Sequence, residues 1–185
     1  MESFEILSHD KSPPMIAIRQ VAKAEESLVP QLCELLRDAV HNGASVGFLA
    51  PLSPQSAARY WENAMASLGE SLALWVAEAD GKVIGSVQLA LCAKENGRHR
   101  AEIQKLFIQS ACRGQGISSR LMSAAEIFAR SAGRTLLVLD TQSGSAAESV
   151  YQHLGWQRAG EIPGYAASPD GKLHATVYYF KALTP

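Results

Sequence analysis

The segment that decides the fold is LFIQSACRGQGISSR, from Leu106 to Arg120. A β-type apolar run ends here, a loop turns at Gly114 and Gly116, and an amphipathic helix is predicted directly after the second glycine. The free N–H groups in the first turn of a helix form a ready site for an anion. Arg113 and Arg120 can add charge-assisted hydrogen bonds to a diphosphate. The segment therefore predicts a phosphate-bearing ligand.

This segment lacks the two commonest nucleotide-binding patterns. It contains no Gly-x-x-x-x-Gly-Lys-Ser/Thr string, so a nucleoside-triphosphate loop is not indicated. A dinucleotide fold needs Gly-x-Gly-x-x-Gly, and Ser119 stands at the third glycine position. Taken alone, the two glycines fit an ordinary structural loop as well as a ligand loop.

Periodicity along the whole chain predicts the element order β-α-α-β-β-β-α-β-α-β-β. Around the loop it predicts strands at about 101–109 and 135–140 and a helix at about 116–132. This order is typical of an α/β protein with antiparallel hairpins and one strand–helix–strand crossover. Residues 1–14 are predicted to be a flexible leader and residues 15–185 a single domain.

Two separated motifs within this order resemble the GNAT superfamily of N-acetyltransferases. Arg113-x-x-Gly116-x-Ser118 is similar to the Arg/Gln-x-x-Gly-x-Gly/Ala signature of that superfamily. Tyr151 opens a string, YQHLGW, that resembles its Tyr-x-x-Leu-Gly-aromatic helix end. The resemblance implies a mixed, mostly antiparallel sheet flanked by about four helices and splayed between its two central parallel strands.

The resemblance also implies acetyl-coenzyme A as the cofactor, with coenzyme A as product. Backbone groups of Leu106, Phe107 and Ile108 would pair with the pantetheine arm as an added strand. N–H groups of the loop and helix start would hold the pyrophosphate; these residues are Arg113, Gly114, Gln115, Gly116, Ile117, Ser118 and Ser119. The chain departs from the usual pattern at Ser118 and at Gly144, where many members carry Asn.

Longer strings resemble one subgroup, the tabtoxin-resistance type of acetyltransferase, whose members acetylate a small β-lactam amino acid. They include HNGASVGF from His41, AEIQKL from Ala101, and the triplet LDT from Leu139. This resemblance assigns Glu102 and Asp140 to proton extraction. It implies acetylation of a small amino-acid-like molecule, as in antibiotic or toxin detoxification.

Residue positions support the same acid–base pair. Period-two alternation places Glu102 on one face of its strand with Gln104, Leu106 and Ile108. Asp140 ends its strand at the edge where open α/β sheets bind ligands. If the two strands are parallel neighbours, the carboxylates flank the gap where the strands part. The competing interpretation is a solvated strand-edge charge at Glu102 and a turn residue at Asp140.

Further side chains are candidates for the acid and for the acceptor pocket. Tyr151 can protonate the departing thiolate, although a half-buried aromatic on an amphipathic helix is the usual structural role of such a tyrosine. Ser45 and Phe48 lie in a run of small residues that predicts a flap over the amine. An ordinary interhelical loop explains that run equally well. Tyr165 is a third candidate lining residue.

Composition limits the partners. The 185 residues carry 17 Lys and Arg against 18 Asp and Glu, a formal net charge of −1, which disfavours a dedicated nucleic-acid binder. No apolar run approaches the ~18 residues of a membrane span, and the five histidines show no metal-ligand spacing. Three widely spaced cysteines favour a reducing, cytoplasmic compartment. We expect no nucleic acid, membrane or metal partner.

The sequence thus predicts an acetyl-CoA-dependent N-acetyltransferase that acts on the primary amine of a small molecule by direct transfer in a ternary complex. Two other functions remain open: a catalytically silent acyl-CoA-binding sensor, and a protein or peptide N-acetyltransferase. A final strand at Thr176–Lys181, expected at the sheet edge, makes a homodimer possible through edge pairing.

Overall fold

The computed structural model describes residues 15–183, and the leader expected at residues 1–14 lies outside that range. The elements are seven strands and four α-helices: β1 (Ala17–Val21), α1 (Val29–His41), α2 (Pro54–Ala66), β2 (Leu72–Ala79), β3 (Lys82–Leu91), β4 (Arg100–Ile108), α3 (Ile117–Ser131), β5 (Leu136–Gln142), α4 (Ala146–His153), β6 (Gln157–Ala167) and β7 (Leu173–Ala182). This is the predicted order, and the mixed α/β fold of the GNAT type is confirmed.

Local sequence signals set several of these boundaries. Ser53 caps α2 by accepting a hydrogen bond from the Ser56 amide at 3.1 Å, and Pro54 occupies the first helical turn. The β2–β3 turn uses Asp80 and Gly81, whose φ angles of +50° and +74° suit the tight turn of a hairpin. These elements therefore begin and turn where the sequence predicts.

The sheet has the strand order β1-β2-β3-β4-β5-β7-β6 and is antiparallel except between β4 and β5. That parallel pairing covers only three residue pairs and ends with Glu102 opposite Val138. Both strands continue, β4 to Ile108 and β5 to Gln142, without pairing to each other. The predicted splay between the two central parallel strands is confirmed, and it leaves a gap in the middle of the sheet.

Helices cover the two sides of the sheet and define two apolar cores. On the α3 face, α3 and α4 pack on inward side chains of the sheet, among them Trp75, Leu89, Ile103, Leu137 and Leu139. On the α1 face, α1 and α2 pack on Leu74, Val76, Val83 and Phe107. A side chain near the gap therefore reaches one of two distinct compartments, depending on the face of the sheet it occupies.

Strand β4 contains a bulge at Lys105. The register with β3 pairs Gln88 with Gln104 and Ser86 with Phe107, so two β4 residues lie opposite one residue of β3. Lys105 has a φ of +51°, in the left-handed region that a non-glycine residue rarely adopts. Such bulges re-aim side chains, and they are frequent next to active sites.

The bulge reverses the facing of β4. Ile103 packs on the α3 face, but Phe107 packs on the α1 face, although strict alternation would place them together. The prediction that Glu102 shares a face with Leu106 and Ile108 is therefore wrong, because Leu106 and Ile108 pack against the α3 face. One inserted residue shifts the phase of the alternation by one position.

The expectation of an exposed final strand is also wrong. β7 lies between β5 and β6, and it pairs with β5 from Leu136 opposite Ala182 to Gln142 opposite Thr176. The edges of the sheet are β1 and β6. Since residues 176–180 are paired on both sides, β7 offers no free edge there, and the argument for a homodimer through this strand falls.

A largely buried ion pair joins β7, α3 and the end of α4. Lys181 Nζ on β7 lies 2.9 and 2.8 Å from the two carboxylate oxygens of Glu126 on α3. It also donates to the carbonyl of Leu154, just after α4, at 2.8 Å. The Glu126 side chain is only 9% exposed, and its other ion-pair partner, Arg130 Nη2, is farther away at 3.8 Å.

We predict that Lys181→Met lowers the free energy of unfolding by about 3 kcal/mol, because it leaves a buried carboxylate without its main partner. The matched control is Lys172→Met, whose ion pair with Asp170 is exposed and contributes less than about 1 kcal/mol. Urea unfolding of both variants measures the difference. Equal losses in the two variants would contradict the assigned role of the buried pair.

Candidate active site

The structure brings the two predicted carboxylates together at the gap. Glu102 belongs to the last parallel pair, and Asp140 lies two residues beyond Val138, where β5 has separated from β4. Both lie on the α1 face, since their neighbours Ile103 and Leu139 pack on the α3 face. Both charges also act on the pKa of the same lysine, Lys105.

Hydrogen bonds hold each carboxylate in a defined orientation. Glu102 Oε1 accepts from Gln104 Nε2 at 2.8 Å. Asp140 Oδ2 accepts from Thr176 Oγ1 at 3.1 Å, across the β5–β7 ladder. The Asp140 residue is exposed and Glu102 is half-buried. Oxygen atoms of both carboxylates therefore remain available to a ligand in the gap.

Sequence reasoning missed a third ionisable group at this place, Lys105. Its Nζ lies 5.5 Å from the ring centroid of Tyr60 on α2. The same atom lies 3.7 Å from the position that a Cβ at Gly47 would take. Burial lowers the pKa of Lys105, and the charges of Asp140 and Glu102 partly oppose that shift.

The sequence did contain a signal for this lysine. Strict alternation from Ile103 places Lys105 on the same apolar face of the strand. A charged residue at a core position indicates either an error in the assumed phase or a bulge. This signal is hidden by the alternation of the neighbouring residues, since Leu106 and Ile108 fit a continuous period-two pattern with Glu102.

Aromatic side chains lie beside Lys105 on the α1 face. We call the region around Glu102, Lys105, Asp140 and Tyr60 the α1-face pocket. Phe48, a predicted lining residue, packs edge-on against Tyr60 with ring centroids 5.4 Å apart. Tyr60 Oη donates to Gln88 Oε1 at 2.7 Å, and burial raises the pKa of Tyr60 to about 12. The Gln88 amide nitrogen is buried and has no partner within residues 15–183. Ser45 is half-buried in the same loop, and its role stays a prediction.

Tyr165 lies at the rim of this pocket. It is 50% exposed on β6, and its hydroxyl is hydrogen-bonded to that of Tyr178 at 2.8 Å. Tyr178 lies directly opposite Asp140 in the β5–β7 register. Its hydrogen bond with Tyr165 is the main cause that raises the pKa of Tyr178 to about 12. The Tyr178 phenol is therefore neutral near pH 7, and the position of Tyr165 beside it fits a lining role.

Tyr151 lies on the opposite face of the sheet from the two carboxylates. It lies on α4, is 6% exposed, and packs in the α3-face core near Trp156 and Tyr179, with ring centroids 6.1 Å away. Burial raises the pKa of Tyr151 well above its ordinary value, and the charge of Asp140 raises it further. The Tyr151 phenol is therefore neutral near pH 7, and the charge of the Asp140 carboxylate acts on it.

The glycine loop leads from the end of β4 to α3. Gly114 and Gly116 have φ angles of +77° and +70°, and Gly116 is the N-cap of the helix. A Cβ at either glycine would meet no atom within 4 Å, so the space in front of the loop is open. The Ile117 side chain is buried, which fixes the helix start. This open, left-handed turn before a helix N-terminus fits a pyrophosphate.

The two arginines near the loop are placed differently. Arg113 is exposed beside the glycines. Arg120 instead donates from Nη2 to the carbonyl of Ile16, before β1, at 2.9 Å. Arg113 is therefore the better placed of the two to reach a diphosphate.

Asp38 on α1, a residue that sequence reasoning did not select, anchors the start of this loop. Its carboxylate accepts from the Ser110 amide at 2.8 Å and from the Ser110 hydroxyl at 2.9 Å. Ser110 comes two residues after the end of β4 and opens the turn toward Arg113. The two hydrogen bonds tie the glycine loop to a helix on the α1 face.

The loop between α1 and α2 contacts the turn between β6 and β7. The Ala50 amide, in the loop between α1 and α2, donates to the carbonyl of Pro169 in the β6–β7 turn at 2.9 Å. An adjoining cleft of about 410 Å³ is lined by Val40, His41, Gly43, Ala50, Ser168, Pro169 and Asp170. It contains none of the predicted catalytic residues, so we do not take it as the reaction centre.

The split sheet, the glycine loop before α3 and the carboxylates at the split agree with the arrangement that the GNAT resemblance implies. The chain matches the acetyltransferase (GNAT) family over residues 30–156 and belongs to that family. It is an N-acetyltransferase whose acetyl donor is acetyl-CoA. The match spans both motifs, from the loop after β4 to the end of the Tyr151 string.

Relatives and solved structures agree with this assignment. An uncharacterized N-acetyltransferase in the hisH-hisA intergenic region of Azospirillum brasilense is 30% identical, over 69% of this chain and 76% of that protein. N-acetyltransferase family 8 member 2 of Rattus norvegicus is 41% identical over 60% of this chain, which spans about half (49%) of that relative. The structure of yncA from Salmonella typhimurium with its cofactor acetyl-CoA shares the fold, with a TM-score of 0.75 and 19% identity over 92% of this chain and 95% of that one.

Two features of residues 15–183 bear on other kinds of partner. None of the helices there is long and apolar enough to cross a membrane. No three His, Cys, Asp or Glu side chains in that range converge as metal ligands.

We predict that Asp38→Ala loosens the glycine loop. Loss of two part-buried hydrogen bonds lowers the free energy of unfolding by about 1–2 kcal/mol, and hydrogen exchange speeds up at residues 109–116. Glu34→Ala, an exposed change one turn earlier on α1, is the control and leaves both unchanged. Unaltered exchange in Asp38→Ala would contradict the anchoring role.

Proposed function

We propose that the acceptor is the primary amine of a small, amino-acid-like molecule, acetylated by direct transfer in a ternary complex. The observation that carries this proposal is the hydrogen bond between Ala50 and Pro169. It joins the α1–α2 loop, which carries Phe48, to the β6–β7 turn near the end of β5. A polypeptide acceptor needs an extended groove, whereas joined loops favour a closed pocket that fits a small molecule.

The residues at the gap supply the proton transfers that the reaction needs. When bound, acetyl-CoA supplies a thioester carbonyl to the attacking amine. A protonated amine gives up two protons in becoming an amide, one before the C–N bond forms and one after it. Glu102 and Asp140 are the two acceptors for these protons on the α1 face. Tyr151 would protonate the departing thiolate, and one of the two protons given up by the amine would restore the phenol while the other leaves to solvent.

Roles on the cofactor side follow from the same geometry. We assign the backbone of Leu106 and Ile108 to the pantetheine arm, since β4 lacks a partner strand along the gap. The N–H of Phe107 or Ile108 would polarise the thioester carbonyl. The amides from Arg113 to Ser119 would hold the pyrophosphate. Gly144, in place of the family's usual Asn, leaves that contact to other residues.

The subgroup resemblance guides the choice of acceptor. Since the tabtoxin-resistance type acetylates a β-lactam amino acid, such compounds are the first acceptors to test, and detoxification is the role they imply. We place the reaction in the cytoplasm, because Cys33, Cys92 and Cys112 are free thiols.

Gly116→Ala tests the pyrophosphate loop. An alanine at a φ of +70° costs about 1 kcal/mol of stability, and it perturbs the helix N-terminus, so we predict about tenfold weaker coenzyme A binding. Gly133→Ala is the control: it has the same φ and equally open space, but it lies at the far end of α3. Calorimetry measures the affinities. Equal affinity in both variants would refute the assignment.

Tyr151→Phe tests the proposed acid. Removing a positioned proton donor lowers turnover by about 100-fold, while coenzyme A affinity is unchanged. Tyr179→Phe is the control, because its hydroxyl bonds Glu148 and Gln152 and takes no part in the proposed reaction. Steady-state thiol release at saturating substrate measures both variants. Full turnover in Tyr151→Phe would remove this residue from the mechanism.

A thiol-release screen tests the function as a whole. It pairs free amino acids and β-lactam amino acids with peptides that carry the same N-terminal residues, against wild type and the double variant Glu102→Gln, Asp140→Asn. We expect release with the small acceptors only, and its loss in the double variant. Faster reaction with peptides would favour a protein acetyltransferase. No release with intact coenzyme A binding would favour a silent sensor.

A further inference from the structure

The Lys105 ammonium lies in the α1-face pocket, and it has no anionic partner among the described residues. Within residues 15–183, no carboxylate oxygen lies within 4.0 Å of its Nζ and no hydrogen bond involves that atom. One oxygen of each nearby carboxylate is hydrogen-bonded to another side chain, Glu102 to Gln104 and Asp140 to Thr176. Among the described residues, the Lys105 ammonium contacts the face of the Tyr60 ring.

Such an arrangement is costly unless something compensates the charge. Burial disfavours a charged ammonium, and this one has three donors to satisfy. A cation–π contact at 5.5 Å supplies attraction but accepts none of the three N–H groups in a conventional hydrogen bond. The Tyr60 hydroxyl is committed to Gln88. The chain therefore leaves room for an external anion at this nitrogen.

The backbone conformation of β4 holds Lys105 in this position. A bulge with φ of +51° interrupts β4 at this residue. Without the bulge, Lys105 would face the same way as Ile103, into the apolar α3 face. With it, the ammonium comes to lie beside Gly47 and Tyr60, at the α1–α2 side of the pocket. Strained backbone of this kind is often found where a side chain has a function.

We propose that Lys105 binds a carboxylate of the acceptor, so that the substrate class is amino acids with a free carboxylate rather than simple amines. This inference rests on the proposed function and deepens it. The α1-face pocket carries charges of both signs. Glu102 and Asp140 attract the ammonium of the acceptor, and Lys105 attracts its carboxylate. An amino acid has both charges a few atoms apart, and the two contacts together orient its nitrogen toward the gap.

The alternative is that Lys105 acts only on the carboxylates of the enzyme, as a nearby charge that tunes proton removal. The two functions differ in what they recognise. A tuning charge affects every acceptor alike, because Glu102 and Asp140 take protons from any amine. A carboxylate-binding charge matters only for acceptors that carry a carboxylate.

The test compares each reactive amino acid with its own primary carboxamide, which keeps the amine and side chain but loses the negative charge. For wild type we expect kcat/KM to be about 10- to 100-fold higher for the acid, the range of a charge-assisted hydrogen bond. In Lys105→Met this preference disappears, mainly through a higher KM for the acid. Lys105→Arg restores part of the preference.

Two further variants keep the test interpretable. Lys105→Asn removes the charge with a residue that tolerates positive φ better, so a folding defect in Lys105→Met does not end the experiment. Lys94→Met, an exposed lysine, is the control and retains the wild-type preference. Calorimetric titration of the amino acid into the coenzyme A complex provides a readout that needs no turnover, with weaker binding expected in Lys105→Asn.

Three results would overturn the proposal. Equal kcat/KM for acid and carboxamide in wild type would show that no carboxylate is recognised. An equal loss for both acceptors in the Lys105 variants, with a shifted pH profile, would identify a tuning charge. No acetylation of any small amine, with coenzyme A binding intact, would refute the proposed function itself, and the proposal about Lys105 would fall with it.

Discussion

The site depends on the point at which β4 and β5 stop pairing. Three parallel residue pairs hold the strands together up to Glu102 and Val138, and beyond them each strand follows its other neighbour. The gap leaves backbone groups of β4 available to an added strand. The charge of Asp140 on the α1 face acts on the pKa of Tyr151 on the α3 face. An unbroken sheet would separate the proposed acid from the proposed bases.

The bulge in β4 determines which side chains reach each side of this gap. By shifting the phase after Gln104, it sends Leu106 and Ile108 to the α3 face and brings Lys105 into the acceptor pocket. The α3 face, the proposed cofactor side, then has the apolar side chains of Leu106 and Ile108, and the α1 face, the proposed acceptor side, has three ionisable groups. A single strained residue thus separates an apolar compartment from a charged one within one strand.

The parts of the candidate site that the sequence predicts are those that depend on local sequence patterns. The glycine loop, the Tyr151 string and the carboxylate at the end of β5 all follow from short motifs or from a strand end. The anchoring of Ser110 by Asp38 and the Ala50–Pro169 contact join distant segments, and periodicity carries no trace of them. The order of β6 and β7 in the sheet was missed for the same reason: strand pairing is a long-range choice.

We propose that the thioester reacts in the gap, between carboxylates on one face and a phenol on the other. A crystal structure of the protein with coenzyme A tests this arrangement directly. We expect the sulfur between Leu106–Ile108 and the unpaired end of β5, within hydrogen-bond distance of Tyr151 Oη, and the pyrophosphate on the amides from Arg113 to Ser119. A cofactor bound elsewhere, with β4 and β5 closed into a continuous ladder, would contradict it.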